Sequence, residues 1–224
     1  MMEEHYTGKL IDFEGGEGVG KSTLIKSLAV FLRNIGYEVI ETKEPGHDTD
    51  LGRKIRKILL DPNHPNKPKT VEEELNLFID QGRTEHFKVI VIPALEEGKI
   101  VLCDRCSPST IAYQYYGRQL YLEDPHREIL TDILLRDIIA RQNIDFDLVI
   151  LLDLGPEIGL KRKNPETRFE FENIDFHERV RGSYLEQARE NPEIWRIIDA
   201  SLPEKAVQIR AIEIVLEFLF NSHK

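Results

Sequence analysis

The chain has 224 residues, enough for one sizeable α/β domain that buries its own core. Its composition, 41% hydrophobic and 31% charged with 14 glycines and 11 prolines, fits a globular protein and excludes a disordered or collagen-like chain. Thirty Lys and Arg against 40 Asp and Glu leave a net charge of -10, which argues against a broad surface for nucleic acid or anionic membrane; any anionic ligand must be met by local cations.

Short apolar runs alternate with longer segments of helical period, the pattern of a parallel sheet flanked by helices. The first strand is expected at 9–13. Directly after it, Gly15-Gly16-Glu17-Gly18-Val19-Gly20-Lys21-Ser22 fits G-x-x-x-x-G-K-[ST] and is followed by Thr23. In such a loop the glycines let backbone N–H groups wrap a phosphate, Lys21 reaches the β- and γ-phosphates, and the Ser22 hydroxyl can hold Mg²⁺. The loop opens a helix in which Leu24, Leu28, Leu32 and Ile35 recur at spacings of three and four up to Gly36, and a helix N-terminus favours anions.

A second strand at 38–42 runs into Lys43-Glu44-Pro45-Gly46. Helices are expected at 51–60 and 71–97, separated by the proline-rich loop 61–70. The third strand, 99–103, ends in Asp104-Arg105, where an aspartate can hold Mg²⁺ or its water and an arginine can clamp a phosphoryl group. Helices at 107–117 and 126–142 precede a fourth strand at 148–153. Lys161-Arg162-Lys163, followed by Arg168, is a basic cluster suited to stabilising charge on a transferred phosphoryl group. A helix at 174–190, a fifth strand at 195–198 ending in Asp199-Ala200-Ser201, and a helix at 204–220 complete the chain. In open parallel sheets ligands bind outside the carboxyl ends of the strands, so the residues after four of these strands are expected to converge on one site.

Cys103 and Cys106 are too few for a disulfide framework, and nothing around them suggests zinc. The start MMEEHYTGK lacks a basic segment followed by an apolar core, and the longest apolar stretches, 89–92 and 148–152, fall far short of the ~20 residues a spanning helix needs. A soluble protein in a reducing, cytoplasmic setting is expected.

These motifs resemble those of the thymidylate kinases from about Gly8 to Leu219. Glu14 to Thr23 match the bacterial pattern E-G-x-[DE]-G-x-G-K-[ST], and Lys43-Glu44-Pro45-Gly46, followed by His47-Asp48, resembles R-E-P-G-G. Arg83-Thr84-Glu85-His86 and Ile92-Pro93-Ala94-Leu95 resemble R-x-x-H and I-x-P-A-L. Asp104-Arg105-Cys106 through Ser109-Thr110, Tyr113 and Gln114 resemble D-R-Y-x-x-S-x-x-A-Y-Q, and Arg168-Phe169-Glu170 resembles R-[FYI]-E. Lys43 stands where the family has arginine, Cys106 where it has an aromatic, and the stretch from Phe78 to Arg83 is one residue longer.

The resemblance implies a single P-loop NTPase domain over 1–224, with a five-stranded parallel sheet, helices on both faces and a short lid at about 161–172. It implies Mg²⁺-dependent transfer of the γ-phosphoryl of ATP to dTMP, giving dTDP and ADP, by a cytoplasmic homodimer. Residues 15 to 23 and Ala200 would meet ATP. Glu17 would sit near the 3′-hydroxyl, Arg105 would hold the dTMP phosphate, Thr110 would bond the thymine edge, and Tyr113 would crowd the place of a ribose 2′-hydroxyl. Pro45, Phe78, Arg83, Ser109 and Gln114 would complete the acceptor site. Some relatives carry an arginine inside the P-loop; with Gly18 there, the transition-state cation would come from the lid around Arg162.

A family aromatic and an arginine four residues on would share one face of an α-helix. Five residues separate Phe78 from Arg83, so a bulge or break is expected within 78–83, eased by Gly82; in the alternative Ile79 pairs with Arg83 in a regular helix. Three rivals are weighed. Another nucleoside monophosphate kinase is disfavoured by the Thr110 and Tyr113 pair. A GTP-dependent switch is disfavoured because Asn66-Lys67-Pro68-Lys69 has lysine where N-K-x-D needs aspartate. A P-loop assembly protein would show no transfer reaction.

Overall fold

The computed structural model describes residues 6–46, 48–162 and 166–221. His47 and Lys163, both named above, lie outside the described residues. Five strands form one all-parallel sheet: β1 (Lys9–Glu14), β2 (Val39–Lys43), β3 (Ile100–Asp104), β4 (Leu148–Asp153) and β5 (Trp195–Asp199), in the spatial order β2-β3-β1-β4-β5. The middle strands are nearly continuous in apolar residues because both faces are covered, as parallel sheets require.

On one face, Ile11, Phe13, Leu102 and Ile150 pack against Leu24 and Leu28 of α1 (Lys21–Asn34) and Ile214 and Val215 of the last helix, Glu204–Asn221. On the other, Leu10, Val101 and Cys103 meet Phe87, Val91 and Leu95, while Val149 and Leu151 meet Ala112, Val180 and Tyr184. The order places β1 and β3 at the point where chain connections diverge, and the ligand crevice of such sheets lies there.

The strands extend one residue further than expected at four ends, so that Glu14, Lys43, Asp104 and Asp199 are the last residues of their strands. α2 (Asp50–Leu60) starts at Thr49, whose side chain accepts from the Gly52 N–H, an N-cap. The third helix, α3, runs unbroken over 71–96 but is not uniformly α. Two π-helical stretches, Asn76–Arg83 and Phe87–Val91, interrupt it, and all the junction residues keep right-handed helical dihedrals. α4 over 107–117 begins as α at Ser107–Thr110 and continues as π over Ile111–Gly117. α5 (Glu128–Ala140), shorter than expected, α6 (Pro156–Lys161) and α7 (Ile174–Glu190) follow, and Glu204–Asn221 is α8. No helix among the described residues is long and apolar enough to cross a membrane.

Candidate active site

A cavity of about 390 Å³ opens at the carboxyl ends of β1, β2 and β3. Its floor is the loop after β1. Lys21 is buried, and its Nζ donates to the Gly15 and Gly16 carbonyl oxygens at 3.0 Å each. Burial, with the charge of Arg105 nearby, lowers Lys21 to about 8, against the pull of Asp104, Glu17 and Glu14. Ser22 Oγ donates to Asp104 Oδ2 at 2.7 Å, so two hard oxygen donors meet where β3 ends. Among the described residues no cluster of three or more His, Cys, Asp or Glu could hold a metal ion by itself.

Arg105 occupies the turn after β3 with φ 73°, a left-handed conformation that directs its side chain back over the P-loop. It donates to Glu17 Oε1 at 3.0 Å, Tyr184 Oη at 3.0 Å, Ser109 Oγ at 3.2 Å and the Gly16 carbonyl at 3.3 Å. Burial works against its charge, but Tyr113, Tyr184, Glu17 and Glu14 outweigh it and hold the guanidinium firmly protonated. Beneath it, the fully buried Glu14 accepts from the Cys106 and Ser109 N–H groups and from Ser109 Oγ, which fixes the start of α4.

Tyr113 Oη donates to Glu17 Oε1 at 2.8 Å, so the carboxylate expected near the sugar and the ring expected beside C2′ are joined. Phe78, Tyr113 and Phe169 form an aromatic wall; Phe169 lies 6.3 Å from Phe78 and 5.4 Å, edge to face, from Tyr113. Arg83 is buried and fully engaged, with Glu44 at 2.7 Å, Asp137 at 2.7 Å and Thr110 Oγ1 at 3.1 Å. Burial opposes the charge of Glu44, but Arg83 and the bond from His86 bring its carboxyl down to about 2. Gln114 is anchored on Glu74 at 3.1 Å.

Residues 17 to 23, Pro45, Phe78, Arg83, Asp104, Arg105, Ser109, Thr110, Tyr113, Gln114 and Arg162 line this one cavity, and Phe78 and Arg83 reach it together through the π-helical stretch. Others do not line it. Ala200 is packed in the core against α1 and α8, because β5 is the outer strand, two places from β1; its Asp199 instead bonds Ser201. Arg168 is drawn away by Glu74, 3.0 Å from its Nη1, and lies over the Phe169 ring. Lys161 is exposed at the end of α6.

Among the lining residues not assigned to the site from the sequence, Arg56 and Phe169 bear most on its chemistry. Arg56 of α2 donates to the Pro45 carbonyl at 2.9 Å and stands beside Lys43 and Arg105; burial and the neighbouring cations lower both Arg56 and Lys43. Phe169 sits inside a motif whose arginine drew the attention. Lys21, Lys43, Arg56 and Arg105 thus crowd one end of the cavity in a protein of net charge -10. Cations that repel one another in a partly desolvated cleft are stabilised by a polyanion.

A phosphate-binding loop on the central strand of a parallel sheet, opposite a second cationic subsite, defines a P-loop kinase of a small phosphorylated substrate. The family model for thymidylate kinase matches residues 13–211. The chain belongs to the thymidylate kinase family. It is 39% identical to the thymidylate kinase of Desulfovibrio desulfuricans over 219 residues, 93% of this chain and 95% of that one. It is 43% identical to that of Geotalea uraniireducens over 203 residues, covering 87% and 90%. The crystal structure of thymidylate kinase from Ehrlichia chaffeensis superposes with a TM-score of 0.73 at 28% identity, covering 93% of this chain and 98% of that one.

Proposed function

We propose that the cavity holds dTMP between the aromatic wall and the cationic end, with the triphosphate of ATP on the P-loop, and that the two phosphates meet between Lys21, Arg105 and Arg162. The reaction follows from the family: phosphorylation of dTMP to dTDP in dTTP synthesis, with ATP as phosphate donor. The carrying observation is that P-loop, cations and aromatic wall line a single cavity.

In this reading Arg105 and Arg56 grip the acceptor phosphate, and Glu17, held by Arg105 and Tyr113, takes the 3′-hydroxyl. Phe78 and Phe169 flank the base, and Thr110, presented by Arg83, meets its edge. Lys21 exchanges the Gly15 and Gly16 carbonyls for the β- and γ-phosphates, and Arg162 adds charge to the transferred group. The Ser22 and Asp104 oxygens suit Mg²⁺, which is held through few protein ligands together with substrate phosphates and water; bound there, it would neutralise developing phosphate charge.

The same proposal takes residues 1–224 as one catalytic domain with the lid at 161–172, in the cytoplasm. A homodimer is supported by the exposed apolar face of α5, where Leu135 and Ile139 are 55% and 74% exposed. ADP release measured across a panel of nucleoside monophosphates, with and without Mg²⁺, tests the reading. Turnover should require Mg²⁺ and favour dTMP; equal rates on cytidylate would refute it. Light scattering tests the dimer.

A further inference from the structure

Two cysteines are too few for a framework, yet Cys103-Asp104-Arg105-Cys106 is itself a C-x-x-C spacing, and it brackets the arginine assigned to the acceptor phosphate. Cys103 lies in β3, and Cys106 immediately precedes α4. The chain turns back between them. Arg105 is left-handed, Cys103 Sγ donates to the Arg105 carbonyl at 3.1 Å, and Cys106 Sγ lies 3.6 Å from Glu44 Oε1; Cys106, with burial, raises the Cys103 thiol. Both thiols are free and buried, but Cys106 forms part of the cavity wall. A small solute entering the cavity meets Cys106 first, with Cys103 behind it.

Asp12 stands beside this pair. It is in register with Cys103 across β1 and β3 and so shares its face of the sheet. Its side chain is completely buried, neither carboxyl oxygen accepts a hydrogen bond from an N–H or hydroxyl group, and the carboxyl it interacts with is that of Glu14. A buried carboxyl with no N–H or hydroxyl donor to neutralise it costs stability, so its presence asks for a use. Burial, with Glu14, Cys106 and Glu44 around it, pushes its pKa well up. A neutral carboxyl can take a proton on one oxygen and release one from the other. Phosphoryl transfer has no use for it at this depth.

We propose that Cys103 and Cys106 form a reversible disulfide when a peroxide enters the substrate-free cavity, that Asp12 relays the proton of Cys103, and that the bond displaces Arg105 from its phosphate-binding position. The Cys106 sulfur attacks one peroxide oxygen, the O–O bond breaks, and the thiol proton leaves with the departing oxygen as water. The sulfenic acid left on Cys106 is attacked by Cys103; the S–S bond forms, and the hydroxyl departs as a second water with the proton relayed through Asp12. One peroxide is reduced to two waters and two thiols are oxidised to one disulfide.

Closing the S–S bond to about 2.05 Å requires the turn between the cysteines to tighten. Arg105 is in that turn, and its bonds to Glu17, Ser109 and Tyr184 fix where its guanidinium points. A disulfide therefore weakens dTMP binding before it affects the P-loop. Bound dTMP fills the cavity and shields Cys106, so the unoccupied enzyme is the form that oxidises.

The inference rests on the assignment of Arg105 to the acceptor phosphate, whereas the disulfide itself is read by mass. The full chain is treated with hydrogen peroxide with and without dTMP, denatured, alkylated and weighed intact. Without dTMP it should lose two hydrogens and both alkylation sites together; with dTMP it should not. The KM for dTMP should rise roughly tenfold or more and return with dithiothreitol. Cys103→Ala should keep the activity of the reduced enzyme but gain oxygen on Cys106, with a loss dithiothreitol does not fully reverse. Asp12→Asn should form the disulfide roughly a hundredfold more slowly or worse, the loss expected on removing a group that transfers the proton. Two alkylatable thiols surviving peroxide, or a disulfide that leaves the KM for dTMP unchanged, would overturn the switch; a parent rate in Asp12→Asn would remove Asp12 from it. A disulfide in an enzyme with no preference for dTMP would instead count against the substrate assignment.

Discussion

Phe78 and Arg83 stand five residues apart and line the same cavity because the helix between them is π-wound. An α-helix would set them about 140° apart around its axis. Hydrogen bonding from residue i to i+5, seen where the Thr84 N–H reaches the Ile79 carbonyl, brings them back to one side. Gly82 permits the wide turn: a Cβ there would lie 2.8 Å from the Leu77 carbonyl oxygen.

Gly82→Ala should therefore lower stability by roughly 1–3 kcal/mol and raise the KM for dTMP more than it lowers kcat. Thermal melts and initial rates check this. An unchanged melting temperature with normal dTMP affinity would mean that the turn tolerates a methyl group and that the glycine is incidental.

Arg105 and Arg162 reach the cavity from different elements, one from the turn after β3 and the other from the end of α6. Arg105→Ala should weaken dTMP binding strongly. Arg162→Ala should lower kcat more than it raises KM, the mark of an interaction made mainly in the transition state. If both variants lost dTMP affinity equally with kcat intact, Arg162 would belong to the acceptor subsite.

Tyr113 does two things at once, since its ring packs on Phe169 while its hydroxyl holds Glu17. Tyr113→Phe keeps the ring and frees one bond to the carboxylate, so kcat should fall while preference for the deoxy sugar persists. Tyr113→Ala should relax discrimination against the ribonucleotide. Competition assays with the two sugars separate these effects, and unaltered selectivity in the alanine variant would reduce the ring to packing.

For Lys21→Ala, turnover should fall by about two orders of magnitude or more, as on loss of one preorganised donor to developing charge. Single-turnover rates at saturating ATP check it. Near-normal rates in a folded variant would show that the charge comes from elsewhere in the cavity.

The carboxyl of Glu44 titrates at about 2 in the folded protein, against an ordinary 4.5. A depressed carboxyl contributes stability that is full above its unfolded value and is lost as pH falls through the folded one. Unfolding free energy should thus decline between about pH 4.5 and pH 2, by on the order of 3 kcal/mol from this group. Glu44→Gln should flatten that part of the profile and be less stable at neutral pH, since it leaves Arg83 with a poorer partner. An acid limb identical to that of the parent would assign it to other carboxylates.

The strands were legible because a parallel sheet buried on both faces demands apolar runs such as Ile100 to Cys103, and the P-loop because its glycines answer to one backbone geometry. The extra residue before Arg83 was legible as well, through the conflict between its spacing and a regular helix. Arg56 was not: Arg53, Lys54, Arg56 and Lys57 share one short helix, and only packing decides which of them turns inward. That Arg168 and Ala200 lie outside the cavity lining was hidden for the converse reason. A basic cluster does not disclose that Glu74 will capture one of its members, and a strand-end residue does not disclose how far its strand lies from the crevice. Tyr184, 79 residues from the arginine it supports, belongs to a contact that no local pattern announces.

Gly18 and Gly159 meet backbone to backbone, where the P-loop touches the helix leading to the lid. A Cβ at 18 would run into the Gly159 carbonyl, and one at 159 into the Glu17 carbonyl. Facing backbone closes both positions to a side chain, so neither site can change without parting the P-loop from this helix. A lineage with this contact has no single-substitution route to a catalytic arginine inside its P-loop; the lid would first have to retreat. In the proposed reading, where Arg162 supplies the transition-state charge, that arrangement is held in place by two residues that carry no charge at all.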